Sequence, residues 1–462
     1  MAEQIAEKQS DPQEAEYVLQ KQQIAAILFA VDSGDRDRLM TLMADLHAAD
    51  IADLLEQINT FDRRRLIELY GQEFGGEILS ELDETLREEV ITLLTPQVLA
   101  NAVRDLDSDD VVDLVEDLEA SQQEVILDAL EDADRRAVEE SLSYPEASAG
   151  RLMQREVVQG PEFWTVGDAI DFMRASEDLP TQFYHIVLVN PKHNPIGLVG
   201  LGVLMGAPRD TLLRDIAEAD IHVMPAAQSE TEVAYAFNQY HFISAPVVDD
   251  HQRLVGVITI DDAMTVLDEE LEQDILRLAG VSEESSLSDT VFDTIKQRLP
   301  WLSVNVVTAC LAALVISNFE EAIAQIVALA VLMPVVASMG GNAGTQALTV
   351  AVRAIATKDL TSANLTRVIG REACVGLVNG VFFACILALI GFIWFGSIKL
   401  AGVIAIALVI NLFVAGLAGM CVPVVLEKLK VDPALASGAF VTTITDVVGF
   451  FTFLGVASAW LL

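Results

Sequence analysis

Five apolar stretches follow one another through the last third of the chain, at about 299–318, 322–352, 370–396, 399–425 and 433–461. As helices, each is long enough to cross about 30 Å of hydrocarbon. A soluble core cannot hold them, because these residues leave little polar surface to cover it. Backbone amides in hydrocarbon must be satisfied within their own segment, so each stretch is expected to be a transmembrane helix.

Charge divides the 462 residues at almost the same place. Residues 1–290 carry 19 Lys and Arg against 61 Asp and Glu, a net of −42, whereas residues 291–462 carry 9 against 8, a net of +1. So acidic a region argues against nucleic acid, which needs a basic surface, and favours cations as partners. Acidity of this kind also serves solubility. The four cysteines, Cys310, Cys374, Cys385 and Cys421, all fall in apolar stretches without a CxxC pair and read as reduced packing residues. The opening MAEQIAEKQSDPQEAEY has neither a basic n-region nor an apolar h-region. No cleavable signal is expected, and the first domain is expected to remain cytosolic.

Basic residues set the orientation of the spans. Lys296 and Arg298 precede the first, Arg353, Lys358, Arg367 and Arg371 lie between the second and third, and Lys428 and Lys430 between the fourth and fifth. Only Lys399 lies between the third and fourth. Eight therefore face one side and one the other, which puts the N-terminus in the cytoplasm and Leu462 outside. Five spans are few for a complete pathway, and a pore at a homodimer interface supplies the remainder.

Two places within the spans are polar at membrane depth, where polar groups are costly unless they meet water or protein. The second span contains Pro334, Gly340, Gly341, Asn342, Gly344, Thr345 and Gln346. Its proline frees a carbonyl, its glycines permit close approach or local unwinding, and its side chains bring neutral oxygens. Small-residue helix packing is the alternative use of the glycines, and the two uses can coexist. The fifth span contains Asp446, about 20 Å of helix rise from its inner end, with no Lys or Arg deep enough in any span to pair with it. Gly438, Thr442, Asp446 and Gly449 share its helix face, with Thr443 adjacent. Hard divalent cations take oxygen ligands, and magnesium dehydrates reluctantly. A narrow wet path lined by oxygens and one carboxylate per subunit suits its hydrated form.

The acidic region reads as two domains after a flexible N-terminus at 1–20. Residues 21–145 are expected to be a helical-repeat domain. Leu46, Ile58, Tyr70, Leu82, Leu94, Leu106, Leu118 and Leu130 recur every twelve residues, several followed by capping residues, as in stacked short helices. The cluster Asp105, Asp107, Asp109, Asp110 and Asp113 lacks the Gly and closing Glu of an EF-hand loop. It leaves open a cation site shared with another domain. Residues 146–274 alternate short β runs with helices, and 185–189 with 195–199 is repeated by 245–248 with 254–259. Gly197 and Gly256 are equivalent, 59 residues apart.

This tandem resembles a pair of CBS domains. Its second copy carries Gly256-Val-Ile-Thr259-Ile-Asp-Asp262, and the resemblance implies that Thr259 and Asp262 hold the phosphate and ribose of an adenine nucleotide such as ATP, with Tyr184 placed to stack on adenine. The first copy reads Gly197-Leu-Val-Gly-Leu-Gly-Val203 and lacks both residues, so at most one nucleotide site per tandem is supported. A connecting, plug-like helix is expected at 275–298, before a transmembrane domain at 299–462.

A solenoid, a CBS tandem, a connector and five spans, in that order, resemble the MgtE family of magnesium transport proteins. Its most specific marks here are Pro334…Gly340-Gly-Asn342…Gln346 and Asp432-Pro-Ala-Leu…Thr442-Thr-Ile-Thr-Asp446. The resemblance implies a multidomain membrane protein that is not an enzyme: a homodimeric magnesium channel among the lipids of a bacterial inner membrane. It implies a pore built on Asp446, Thr442, Thr443, Gly340, Asn342, Gln346 and Asp432. It also implies cytosolic magnesium bound at Asp262, Glu270 and Asp274, and more loosely at Asp109 and Asp110, holding the pore shut, with ATP as a regulatory ligand. Gln273 and Gly438 depart from residues that some members place there, an acid and a polar gate residue respectively. Two other classes compete. One is a proton- or sodium-coupled divalent exchanger with Asp446 as the coupling residue. The other is a membrane-tethered sensor, which would need neither polar stretch.

Overall fold

The computed structural model describes residues 19–462 apart from 105, 117, 119, 177, 178, 181 and 283–290. Most of the expected flexible N-terminus, Asp105, and part of the expected connector lie outside the described residues. The chain divides into two compact units between Asp268 and Glu269.

The first unit opens with α1 (Lys21–Ser33), α2 (Arg36–Met43), α3 (Ala48–Gln57), α4 (Thr60–Tyr70), α5 (Gly76–Ser80), α6 (Glu84–Leu93), α7 (Pro96–Arg104), α8 (Ser108–Glu116), α9 (Ala120–Leu127) and α10 (Asp132–Leu142). The twelve-residue repeat marks the corners of this stack. Ile58, Tyr70, Leu82, Leu94 and Leu118 are buried at or just after helix ends, where successive helices share one apolar side chain. Arginines fasten the corners. Arg63 donates to Leu55 O (2.9 Å) and Ile58 O (3.1 Å) at the end of α3 and pairs with Glu89 at 2.5 Å. Arg87, two repeats later, reaches Ser80 O (3.3 Å) and Asp113 (2.8 Å). A guanidinium fork can satisfy the orphan carbonyls of a helix end and a carboxylate together.

After α11 (Ala149–Leu152) come two three-stranded sheets, β1 (Gln159–Pro161), β2 (His185–Val189), β3 (Pro195–Gly200) and β4 (Met224–Pro225), β5 (Ser244–Val248), β6 (Leu254–Thr259). In each, the first strand runs parallel to the second and the second antiparallel to the third. Helices α12 (Val166–Ala175), α13 (Leu201–Gly206), α14 (Leu213–Ile216), α15 (Glu230–Tyr240) and α16 (Ile260–Leu278) complete the two β-α-β-β-α units. Both hairpins are irregular at the same step, Leu188/Val189 and Val247/Val248. The copies meet through equivalent positions, with His185 Nδ1 2.7 Å from Ser244 Oγ. Gly256 admits close approach: a Cβ there would stand 2.7 Å from Gln154 O.

The second unit begins within α16. It continues with α17 (Val291–Ser317), α18 (Glu320–Gln325), α19 (Ala328–Ala356), α20 (Leu365–Phe395), α21 (Ile398–Lys428) and α22 (Pro433–Leu461). Among the described residues five helices are long and apolar enough to cross a membrane: Thr294–Ser317, Ala328–Ala356, Leu365–Phe395, Ile398–Lys428 and Gly438–Leu461. The connector differs from expectation. The last helix of the second β-α-β-β-α unit itself runs on to Leu278, and the residues from Val291 belong to the first long apolar helix. Helix α21 is the hub, with 56% of its apolar window buried against 6% for that of α17. Small residues let it pack closely. A Cβ on Gly376 of α20 would stand 2.6 Å from Leu412 O, and one on Gly419 would stand 2.6 Å from Gly344 O.

Candidate ion path and acidic sites

Helix α19 does not unwind at Pro334 or at its glycines; it is continuous from Ala328 to Ala356. The glycines serve contact instead. Gly340 and Gly344 are buried, and a Cβ on Gly344 would lie 2.6 Å from Val441 Cγ1 of α22. Gly340 therefore does not join the polar wall expected of it: it faces Asn411 of α21, inside the bundle. The polar wall is the opposite set. Pro334, Ser338, Asn342, Thr345 and Thr349, spaced by four, four, three and four, are exposed, as is Gln346. Asn342 Nδ2 reaches Ser338 Oγ at 3.4 Å along this stripe.

On α22, Thr442 is exposed and Asp446 is partly buried. The Thr443 hydroxyl donates to Ala439 O at 2.6 Å and so is engaged with its own helix. Gly449 turns inward, against Asn411. Where α19 and α22 touch, at Gly344 and Val441, the next residue on each helix is an exposed threonine, Thr345 and Thr442. The seam is thus edged with hydroxyl oxygens.

Asp432 sits outside this path. Its carboxylate caps α22, accepting from Ala434 N at 2.7 Å, and lies 3.4 Å from Arg277 Nε of α16. A carboxylate held by a helix N-terminus and a guanidinium is already compensated, so its expected place among the pore ligands gives way to one at the start of the helix. Arg277 Nη2 also donates to Gln273 Oε1 at 2.9 Å, and Leu278 packs with Leu348, Val352 and Ala434. Asp274 belongs to the same group. Burial first, and then the charge of Glu270, raise its pKa, while Arg277 opposes the rise.

In the first unit, α8 and α16 bring their N-terminal turns together. Each helix end favours its own carboxylates, Asp109 and Asp110 on one and Asp261 and Asp262 on the other. Together they repel. Burial pushes Asp110 up to about 7, with Asp262 the next cause. Asp109 is held well above the usual carboxylate range by burial and then by Asp262 and Asp110. Asp262 is raised to about 6 by burial, against the pull of its bonds from Thr259. Glu156 anchors the seam, accepting from Ser108 Oγ at 2.8 Å. The acids expected to bind regulatory magnesium thus form two sets, one around Asp262 and one around Asp274. Among the described residues no group of three or more His, Cys, Asp or Glu is arranged to hold a metal ion.

Beside the seam, a narrow cleft is lined by Tyr184, His185, Ser244, Val257 and Thr259 with Glu156 and Val158. Thr259 Oγ1 donates to Asp262 at 2.7 Å, and also to Asp261. This is helix-capping geometry, so the Thr–Asp pair has a structural use whether or not a nucleotide is bound. Tyr184 is 39% exposed at the mouth of the cleft, free to offer a ring face.

Two residues escaped the sequence reading. Asn411 is a polar residue at the middle of the fourth span, and the criterion applied to the second span would have found it. Arg277 gave no signal beyond its charge in an acidic helix.

Residues 333–456 match the model of the MgtE divalent cation transporter, 46–147 the MgtE intracellular N domain, and 213–269 the CBS domain. "Magnesium transporter MgtE" of Thermus thermophilus is 30% identical over 438 residues, 93% of this chain and 96% of the relative. The protein of that name from Bacillus subtilis is 27% identical over 95% of this chain and 97% of its own length. A crystal structure of the cytosolic domain of the Mg2+ channel MgtE in complex with ATP aligns at 28% identity and a TM-score of 0.49, covering 53% of this chain and 99% of that one. Near-complete coverage at this identity places all the domains in one order on one chain: the protein belongs to the MgtE family.

Proposed function

We propose that this protein conducts magnesium across the bacterial inner membrane as a homodimeric channel, with its N-terminal domains cytoplasmic and Leu462 outside. The observation that carries this reading is the uncovered polar stripe of α19 beside Thr442 and Asp446 of α22, in helices otherwise apolar outward. Such groups cost several kcal/mol in lipid and become favourable against water, a cation or a second copy of the chain. One carboxylate and several neutral oxygens per chain suit an ion that keeps its water shell. The relatives named as magnesium transporters support the choice of ion.

Control follows from the acids. Asp109, Asp110 and Asp262, and separately Glu270 and Asp274, repel when cation is scarce and are bridged when it is plentiful. Magnesium then binds best to the conformation in which they are apposed, and that conformation is the closed one. ATP at Tyr184, Thr259 and Asp262 adds a regulatory ligand.

The test is magnesium flux into liposomes holding the full-length protein, with and without pH or sodium gradients. Flux is expected without either gradient and is expected to vanish in Asp446→Ala with the protein still folded. Flux that requires a gradient turns the assignment to a coupled exchanger, and normal flux in Asp446→Ala refutes the path.

A further inference from the structure

Asn411 is wholly buried at the middle of α21. Its Nδ2 donates to Val336 O of α19 at 3.0 Å. Its Oδ1 has no hydrogen-bond partner. Leaving such a group unpaired in the interior is costly, and a Leu there would avoid the cost. The surroundings show what the amide occupies. A Cβ on Gly340 of α19 would stand 2.2 Å from Asn411 Nδ2, and one on Gly449 of α22 would stand 2.7 Å from it. Two glycines on two different helices therefore make way for one side chain of a third. Gly340 lies two residues from Asn342 of the exposed stripe, and Gly449 lies three residues from Asp446.

We propose that Asn411 is a positioning residue for ion passage: its amide, wedged between Gly340 and Gly449, sets the separation of α19 and α22. The donated bond fixes α19 at Val336, and the planar amide fixes the gap to α22. No alkyl side chain does both, since removing the donor frees α19 and enlarging the wedge meets two backbones. The role in passage rests on the path proposed above; the role in spacing does not.

The experiment separates the two. In full-length protein with the four native cysteines replaced by alanine, spin labels at Ser338→Cys and Thr442→Cys report the α19–α22 distance by pulsed electron resonance in liposomes. Magnesium flux is measured in parallel on the otherwise native protein and its Asn411 variants, with Ser338 and Thr442 unsubstituted. Asn411→Leu keeps the number of side-chain heavy atoms without the donor, and Asn411→Asp keeps the shape and, as the neutral acid that burial favours, an O–H donor for Val336 O. Asn411→Leu is expected to shift or broaden the distance distribution and to cut magnesium flux at least tenfold. Asn411→Asp is expected to retain more of both properties. A distance distribution unchanged in Asn411→Leu overturns the spacing role. A changed distance with unchanged flux overturns the positioning role, while absence of flux in the parent protein instead defeats the path itself. Should Asn411→Leu fail to insert, Asn411→Ala, which removes both the donor and the wedge, carries the same readings.

Discussion

Replacing Asp110 by Asn should stabilise the contact between α8 and α16 at neutral and alkaline pH and leave it unchanged in acid. Asp110 has its pKa raised from 3.8 to about 7. An acid raised in the folded state binds its proton more tightly there than in the unfolded chain. Stability therefore falls as pH rises from about 4 to about 7, and the full penalty stands above that. Three units correspond to a ceiling of about 4 kcal/mol. Asp109 and Asp262 share the same repulsion and would relax once one charge is gone, so the gain from one substitution is about 1–2 kcal/mol, a factor of roughly 5–30 in the local opening equilibrium. The assay is amide hydrogen exchange of α8 in the full-length protein between pH 5.5 and 8.5, corrected for the intrinsic pH dependence of exchange. The native protein should lose protection toward pH 8.5 and recover it with millimolar magnesium, which replaces the missing protons with a bridging cation. Asp110→Asn should be 5–30-fold better protected at pH 8 and respond less to magnesium. Native protection that ignores pH, or a mutant less protected than the native chain at pH 8, would refute the account.

Three further outcomes follow from particular contacts. Gly340→Ala drives a methyl into the Asn411 amide and should cost about 1–3 kcal/mol by overpacking, read as a lower thermal unfolding midpoint; Gly341→Ala, which meets nothing within 4 Å, should leave that midpoint in place. Arg277→Gln removes the partner of Asp432 and leaves partly buried carboxylates facing one another. Limited proteolysis after α16 should accelerate without magnesium and return to the native rate when it is added, and a native rate throughout would mean that the ion pair holds nothing. Tyr184→Ala should weaken binding of an adenine nucleotide at least tenfold by calorimetry, and equal affinity would discard the cleft as its site.

How far the residues announced this architecture varies with the range of the interaction. The corners at Ile58, Tyr70 and Leu82 were legible because a twelve-residue period is local. The hairpins at Gly197 and Gly256 were legible because turn chemistry and alternation span a few residues. Strands β1 and β4, three and two residues long, were not, since they exist only by pairing with β2 and β5. Gly340 shows the sharper limit. A glycine in a polar run looks the same on a pore wall and in a helix contact, and only the neighbour across the gap tells them apart. Asp432 is similar: its place beside Thr442 and Asp446 in one motif concealed that thirteen residues of helix separate a cap from a path.

The sequence by itself determined the division into an acidic half and a five-span half, the repeats within the first, and the isolated carboxylate at Asp446, because composition and period are properties of the chain. Only the tertiary structure decided which oxygens are exposed together, which acids repel one another across α8 and α16, and that Asn411 stands between Gly340 and Gly449. Those relations join residues dozens to hundreds of positions apart, and their energies depend on distance in space, which no spacing along the chain encodes.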